Sequence, residues 1–251
     1  VYSVAVDESG DVWIGTDRGA AVVSPPPDDA RSVAAPLEVR IVPASPWPAG
    51  APSRDLLIRE GGAWIAGPDG VRVVGRPHVQ GGDLVVAAGP DVVALVADRG
   101  SVWAVGGRAV RLDAAGLLHR VPVPIQVADA AVSDGALWVG GAEGLLRYDA
   151  ALDRFRLEVA LPGIQRVRSG TDGPWVISRG AVFQVVDGQA RPFLRTGVAL
   201  DLAPSTDGVW VGSTDGLERV RLEPGFVGEV QDVLGDLDAN IAVPAVALAD
   251  D

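Results

Sequence analysis

The stretch Asp7–Val23 reads DESGDVWIGTDRGAAVV. It holds an acidic turn, a short strand carrying Trp13, a glycine step at Gly15, a second turn at Asp17–Gly19 and another apolar strand. The same order recurs along the chain. Trp13, Trp64, Trp103, Trp138, Trp175 and Trp210 share this setting, with gaps of 51, 39, 35, 37 and 35 residues. Gly stands two or three residues before each of them, as in SGDVW, GGAW, RGSVW, DGALW, DGPW and DGVW. The run after each Trp is again a strand, a turn and an apolar strand: WIGTDRGAAVV, WIAGPDGVRVV, WAVGGRAVRL, WVGGAEGLLRY, WVISRGAVFQV and WVGSTDGLERV. A period of this length marks a repeat architecture.

Each copy reads as three strands, with a weaker fourth in LEVRIVP, DLVVAAG, LLHRVPV, RFRLEVA, ARPFLRT and VGEVQDV. Val-rich runs punctuated by Gly, Asp and Pro favour strands, and no long segment has helical period. One four-stranded sheet cannot bury both of its faces. Stacked radially, each sheet covers its neighbour, and the recurring indole fills the gap between them. The expected fold is all-β, a β-propeller of four-stranded antiparallel blades. The chain is expected to be one propeller domain, with repeats at about 1–51, 52–90, 91–125, 126–163, 164–198 and 199–240. The segment 241–251 matches the first strand of a further copy, so six and seven blades both stand.

Composition narrows the chemistry. The 251 residues contain no Cys, which excludes disulfides, thiolate metal sites and a cysteine nucleophile. All 21 basic residues are Arg and the formal charge is −12, a bias expected of a GC-rich genome. That balance argues against nucleic acid or anionic lipid as a partner, since phosphate binding needs clustered positive charge. No apolar run reaches the ~18 residues of a membrane span. The chain begins at Val1, and a processed or excised piece of a longer polypeptide is expected.

The shared consensus, V-x-x-I-x-x-D-x-x-G-x-x-W-I-G-T-x-x-G-L-x-x-Y, resembles the two-component regulator propeller repeat family. VYSVAVDESGDVWIGTDRGAAVV and VALDLAPSTDGVWVGSTDGLERV match it best, and LGDLDANIAVPAVALADD resembles its loop and first strand. Blades three and five depart from W-I-G-T, with WAVGGRAV and WVISRGAV. The resemblance implies a bacterial sensor propeller in the periplasm or outside the cell, as part of a signalling protein.

Candidate residues follow from the loops. The turns between second and third strands carry Asp17, Arg18, Asp69, Arg108, Glu143, Arg179 and Asp215. The approaches to the first strands carry Arg54, Asp55, Asp91, Asp129, Arg166, Arg168 and Asp201. In a propeller both sets open on one face, the default place for a ligand or partner. Arg166 and Arg168 come closest to an anion clamp. Trp47, between prolines in the longest connection, suits either a partner anchor or packing over a blade. The acids before the turns, Asp7, Asp98, Asp134, Asp172 and Asp207, read as turn caps rather than a carboxylate ring. His78 and His119 sit near fourth strands, away from any nucleophile motif. DLDAN, Asp236–Asn240, has the D-x-D-x-N spacing of a Ca²⁺ loop, but Ile241 and Ala247 stand where Gly and Glu are needed. No cofactor is expected. A non-catalytic binding or sensing module is the leading reading. The alternatives are a lyase or hydrolase working at the central channel and a structural scaffold.

Overall fold

The computed structural model describes residues 2–24, 38–42, 51–59, 62–74, 84–86, 91–112, 118–193, 198–205, 208–223 and 226–232. Among these residues there is no helix, and the strands form six four-stranded antiparallel sheets, each in sequence order. They are the blades of a β-propeller. Blade one is β1 (Ser3–Val6), β2 (Val12–Thr16), β3 (Gly19–Ser24) and β4 (Glu38–Ile41). Blade two is β5 (Asp55–Arg59), β6 (Gly62–Gly67), β7 (Gly70–Val74) and β8 (Leu84–Val86). Blade three is β9 (Ala94–Asp98), β10 (Ser101–Val105), β11 (Arg108–Leu112) and β12 (Leu118–Pro122). Blade four is β13 (Val127–Ser133), β14 (Ala136–Gly141), β15 (Leu145–Asp149) and β16 (Arg154–Val159). Blade five is β17 (Ile164–Arg168), β18 (Trp175–Ser178), β19 (Ala181–Val186) and β20 (Gln189–Pro192). Blade six is β21 (Ala199–Ser205), β22 (Gly208–Ser213), β23 (Gly216–Glu223) and β24 (Phe226–Asp232). The chain divides into two compact units, Val1–Leu95 and Val96–Asp251.

Every strand expected of the six full repeats is present, including the six weaker fourth strands. The tryptophans sit on the second strands. Trp13, Trp64, Trp103, Trp138 and Trp175 are buried, and Trp210 is half-buried. In the first unit, Trp13 clusters with Leu56, Ala63 and Ile65 of blade two. In the second, Trp138 clusters with Ile164, Val167 and Val176 of blade five, and Trp175 with Leu202, Val209 and Val211 of blade six. The indole of one blade is thus the apolar cover of the next. Burying such a ring removes ~150–250 Å² from water, an upper bound of a few kcal/mol per blade at ~25 cal/mol per Å².

The glycine two residues after Trp has a steric reason. A Cβ on Gly140 would lie 2.5 Å from Ile164 Cγ2 and 2.7 Å from Val167 Cγ2, in the first strand of blade five. Only a bare backbone admits that approach. Blades two, three and five carry Ala66, Val105 and Ile177 at this step.

Asp7 and Asp98, two of the acids before the first turns, are structural, and they reach further than a turn cap. Asp7 Oδ1 accepts the Ser9 N–H at 2.9 Å, the Ser9 hydroxyl at 2.6 Å and the Asp11 N–H at 3.0 Å. Its Oδ2 accepts the Trp13 indole N–H at 2.9 Å. The same indole bond recurs from Trp103 to Asp98 Oδ2 at 3.4 Å, and from Trp138 to the Ser133 carbonyl at 3.2 Å. Partial burial works against the Asp7 charge. The Ser9, Trp13 and Asp11 donors outweigh it and hold the carboxyl below its ordinary range.

Candidate functional site

Antiparallel sheets in sequence order have two distinct ends. The turns from second to third strand, and the approaches to the first strand, lie at one end. The turns from first to second and from third to fourth lie at the other.

At the first end, register selects one recurring position. Opposite Trp13, Trp64, Trp138, Trp175 and Trp210 on the first strand stand Ala5, Leu57, Ala131, Arg168 and Ala203. Two residues earlier stand Ser3, Asp55, Asp129, Arg166 and Asp201. These carboxylates link blades. Asp55 Oδ1 accepts the Ser3 hydroxyl at 3.0 Å and the Leu56 N–H at 2.9 Å, while Oδ2 accepts the Leu95 N–H at 2.7 Å. Asp129 repeats the device, accepting the Ala130 N–H at 2.9 Å and the Val167 N–H at 3.0 Å. In both cases one side chain ties its own strand to the first strand of the next blade.

Blade five puts Arg at both positions. Arg168 donates from Nη1 to Asp129 Oδ2 and from Nη2 to Asp201 Oδ1 at 2.7 Å, bridging blades four and six. Arg166 Nε lies 3.8 Å from Asp201 Oδ1. The carboxylates that Arg168 grips are therefore the protein's own. Asp129 and Asp201 are buried, and their charge is matched by Arg168 and by backbone donors. In the first unit, Arg54 pairs with Asp91 at 3.2 Å, so Arg54 too faces a carboxylate.

The turn residues at this end differ. Asp17, Arg18, Arg108, Glu143, Arg179 and Asp215 are all exposed, Arg108 as the first residue of β11 and the others on tight turns between two strands. Asp69 is exposed as well. Trp47, His78, Asp207, the DLDAN segment and the partial repeat 241–251 lie outside the described residues. Among the described residues, no group of three or more His, Asp and Glu is placed to hold a metal ion. No described helix is long and apolar enough to cross a membrane.

The opposite end holds a feature that the sequence reading missed. Between blades three and four opens a cleft of about 380 Å³, lined by Trp103, Arg111, Asp134, Arg147, Tyr148 and Arg156 among others. Trp103 and Tyr148 meet edge to face at 5.3 Å between ring centroids. Beside the cleft, Asp153 Oδ1 accepts the Tyr148 hydroxyl at 2.8 Å and lies 2.7 Å from His119 Nε2. Burial, then the Asp153 hydrogen bond and charge, push the Tyr148 phenol up to about 12. The Tyr148 and His119 hydrogen bonds hold Asp153 below its ordinary value. A signal for part of this cleft was present in the sequence. Arg111, Arg147 and Arg219 stand directly across the sheet from, or beside, a tryptophan and place their guanidinium carbons 5.7, 5.5 and 5.2 Å from the Trp103, Trp138 and Trp210 rings.

The chain matches no family model and no curated protein sequence. It is similar in structure to solved propellers. The extracellular domain of BT4673 from B. thetaiotaomicron, described as a hybrid two-component system, matches with a TM-score of 0.68 at 16% identity over 96% of this chain and 34% of that one. The corresponding domain of BT3049 from the same organism matches with a TM-score of 0.64 at 15% identity, over 96% of this chain and 36% of that one. The virginiamycin B lyase from Staphylococcus aureus matches with a TM-score of 0.66 at 15% identity, over 92% of this chain and 84% of that one. The chain spans about a third of the length of the sensor domains. Its fold is like that of two-component regulator propellers.

Proposed function

We propose that the chain is a non-catalytic binding or sensing domain, a single propeller within a larger signalling or surface protein. Its partner face is the end of the sheets that in the second unit carries Arg108, Glu143, Arg179 and Asp215; in the first unit the corresponding end carries Asp17 and Arg18. The observation that carries this reading is the division of charge at that end. On the first strands, Asp55, Asp129, Arg168 and Asp201 hold one another or the backbone of the next blade. On the turns, the charged side chains project from rigid hairpins into solvent, where a partner meets them. Arg166 is assigned to the rim of the same face. The likeness to extracellular sensor domains favours a periplasmic or extracellular location in a bacterium.

The lyase alternative rests on the Staphylococcus aureus enzyme. A variant of that enzyme with one histidine replaced by alanine is described as catalytically inactive. Here the described histidine, His119, lies on β12, the outer strand of blade three. That placement favours binding over lyase chemistry, which needs a general base near its substrate. The test is photo-crosslinking in the parent protein in its own cells. A benzophenone side chain replacing Arg108 or Arg179 is expected to trap a discrete partner. The same group at Gln189, at the other end of the sheets, is expected to trap none. Equal yields at all three positions, together with turnover of quinupristin by the chain, would overturn the reading.

A further inference from the structure

We propose that the cleft between blades three and four is a second site, one that binds a small zwitterion of the free amino acid or dipeptide class. It stands apart from the partner face, at the opposite end of the sheets.

Charge balance makes the argument. The lining holds three arginines, Arg111, Arg147 and Arg156, and three aspartates, Asp98, Asp134 and Asp149. The charged neighbours just outside it, Arg99 beside Gly135 and Asp153 beside Tyr148, are again one of each sign. Two pairs are closed within the cleft. Arg111 Nη2 stands 3.6 Å from Asp98 Oδ2, and Arg156 Nε stands 3.4 Å from Asp149 Oδ2. Asp153 is turned to the Tyr148 hydroxyl and to His119. One cation and one anion remain. Arg147 and Asp134 are both exposed, and neither forms an ion pair among the described residues. Arg147 also has Arg156 directly across the sheet on β16, and like charges in that relation destabilise a sheet.

Trp138 fixes where both unanswered charges stand. Arg147 is its cross-strand partner, with the guanidinium carbon 5.5 Å from the ring centroid. The Trp138 indole N–H donates to the Ser133 carbonyl at 3.2 Å, which holds the residue before Asp134. Arg147 and the turn that carries Asp134 are therefore anchored to one indole, and binding has less freedom to remove. Because the two charges share one cleft, a lone anion on Arg147 is opposed by Asp134, and a lone cation on Asp134 is opposed by Arg147. A molecule with both charges meets both demands. Its carboxylate takes the guanidinium fork, and its ammonium donates to the Asp134 carboxylate. Ala136, Leu137 and Ala150 add apolar lining for the ligand's side chain. The volume of about 380 Å³ lies at the small end of the ~300–1,000 Å³ of small-molecule sites, as a ligand of this size requires.

The test is calorimetric titration of the intact chain, at low salt and neutral pH, with L-leucine and, separately, with glycyl-L-leucine. Saturable binding is expected, and the tighter of the two assigns the ligand as free amino acid or dipeptide. Two analogues that each keep one charge, 4-methylpentanoate and 3-methylbutylamine, should bind at least about tenfold more weakly, the loss of one charge-assisted pair. This comparison is made on the unaltered chain, so no folding defect can produce it. Arg147→Gln and Asp134→Asn should each raise the Kd of the zwitterion about tenfold for the same reason. Arg191→Gln, on β20 of blade five, should leave it unchanged. Absence of saturation by both zwitterions up to about 10 mM, in the range of the weakest specific affinities, would overturn the proposal. So would either single-charge analogue binding as tightly as the zwitterion, or an Asp134→Asn Kd within about twofold of the parent.

Discussion

Asp7 shows how much one side chain does in this repeat. Its two oxygens hold the turn from β1 to β2 and the Trp13 indole together, so turn chemistry and core packing share one carboxylate. The turn-cap role was legible, because Asp before a Gly-containing turn has a known local hydrogen-bonding habit. The indole bond was not, since it depends on how the hairpin folds Trp13 back over the turn. The shift in Asp7 has a definite sign. A carboxyl held below its unfolded value adds stability at higher pH and loses it as pH falls through the folded value. In Asp7→Asn, the side-chain oxygen keeps the turn bonds but the amide presents a donor to the indole donor. Urea unfolding should show a loss of about 1–2 kcal/mol at pH 7, the scale of a broken hydrogen bond to a charged group. The deficit should shrink as pH drops below the ordinary Asp value of 3.8. An equal deficit at pH 3 and pH 7 would contradict the assignment. The pairing of Arg168 with Asp129 and Asp201 belongs to this scale too. The sequence placed all three at first strands, but it could not say that the arginine would turn to its own neighbours instead of outward.

Strands and their glycines carry the next level. The W-x-G step was visible as a pattern, and its cause emerges only where the blades meet. Gly140 lets β14 approach β17 so closely that a methyl group has no room. Gly140→Ala should therefore cost about 1–3 kcal/mol, as overpacking does. Gly107→Ala, with open space around it, should change stability by less than about 0.5 kcal/mol. Thermal or urea unfolding of the two variants checks this, and equal losses would refute the close-approach account. The outer strands were the least legible elements, because they show weaker alternation and follow connections of varied length. Even so, β12, β16 and β20 fall where the weak fourth runs were read. The cleft between blades three and four escaped the sequence for a related reason. Its arginines come from β11, β15 and β16, which neither the period nor any motif brings together. Only the stacking of neighbouring blades does.

For the whole molecule, the repeat period and the position of Trp within it were enough to name the fold. Each copy needed only to agree with the others, and six imperfect copies agree. The site was less legible, because a propeller uses the same loops for structure in one protein and for recognition in another. The central claim is that, within each unit, the indole on the second strand of a blade packs against the blade that follows. Trp103 of blade three and Tyr148 of blade four, 5.3 Å apart, offer the cleanest pair. A double-mutant cycle of Trp103→Leu and Tyr148→Leu, followed by urea unfolding, measures their coupling. The expected coupling is about 0.5–1.5 kcal/mol, the range for interacting aromatic pairs. Losses that add to within about 0.3 kcal/mol would mean that the two rings do not join their blades, and would contradict the account.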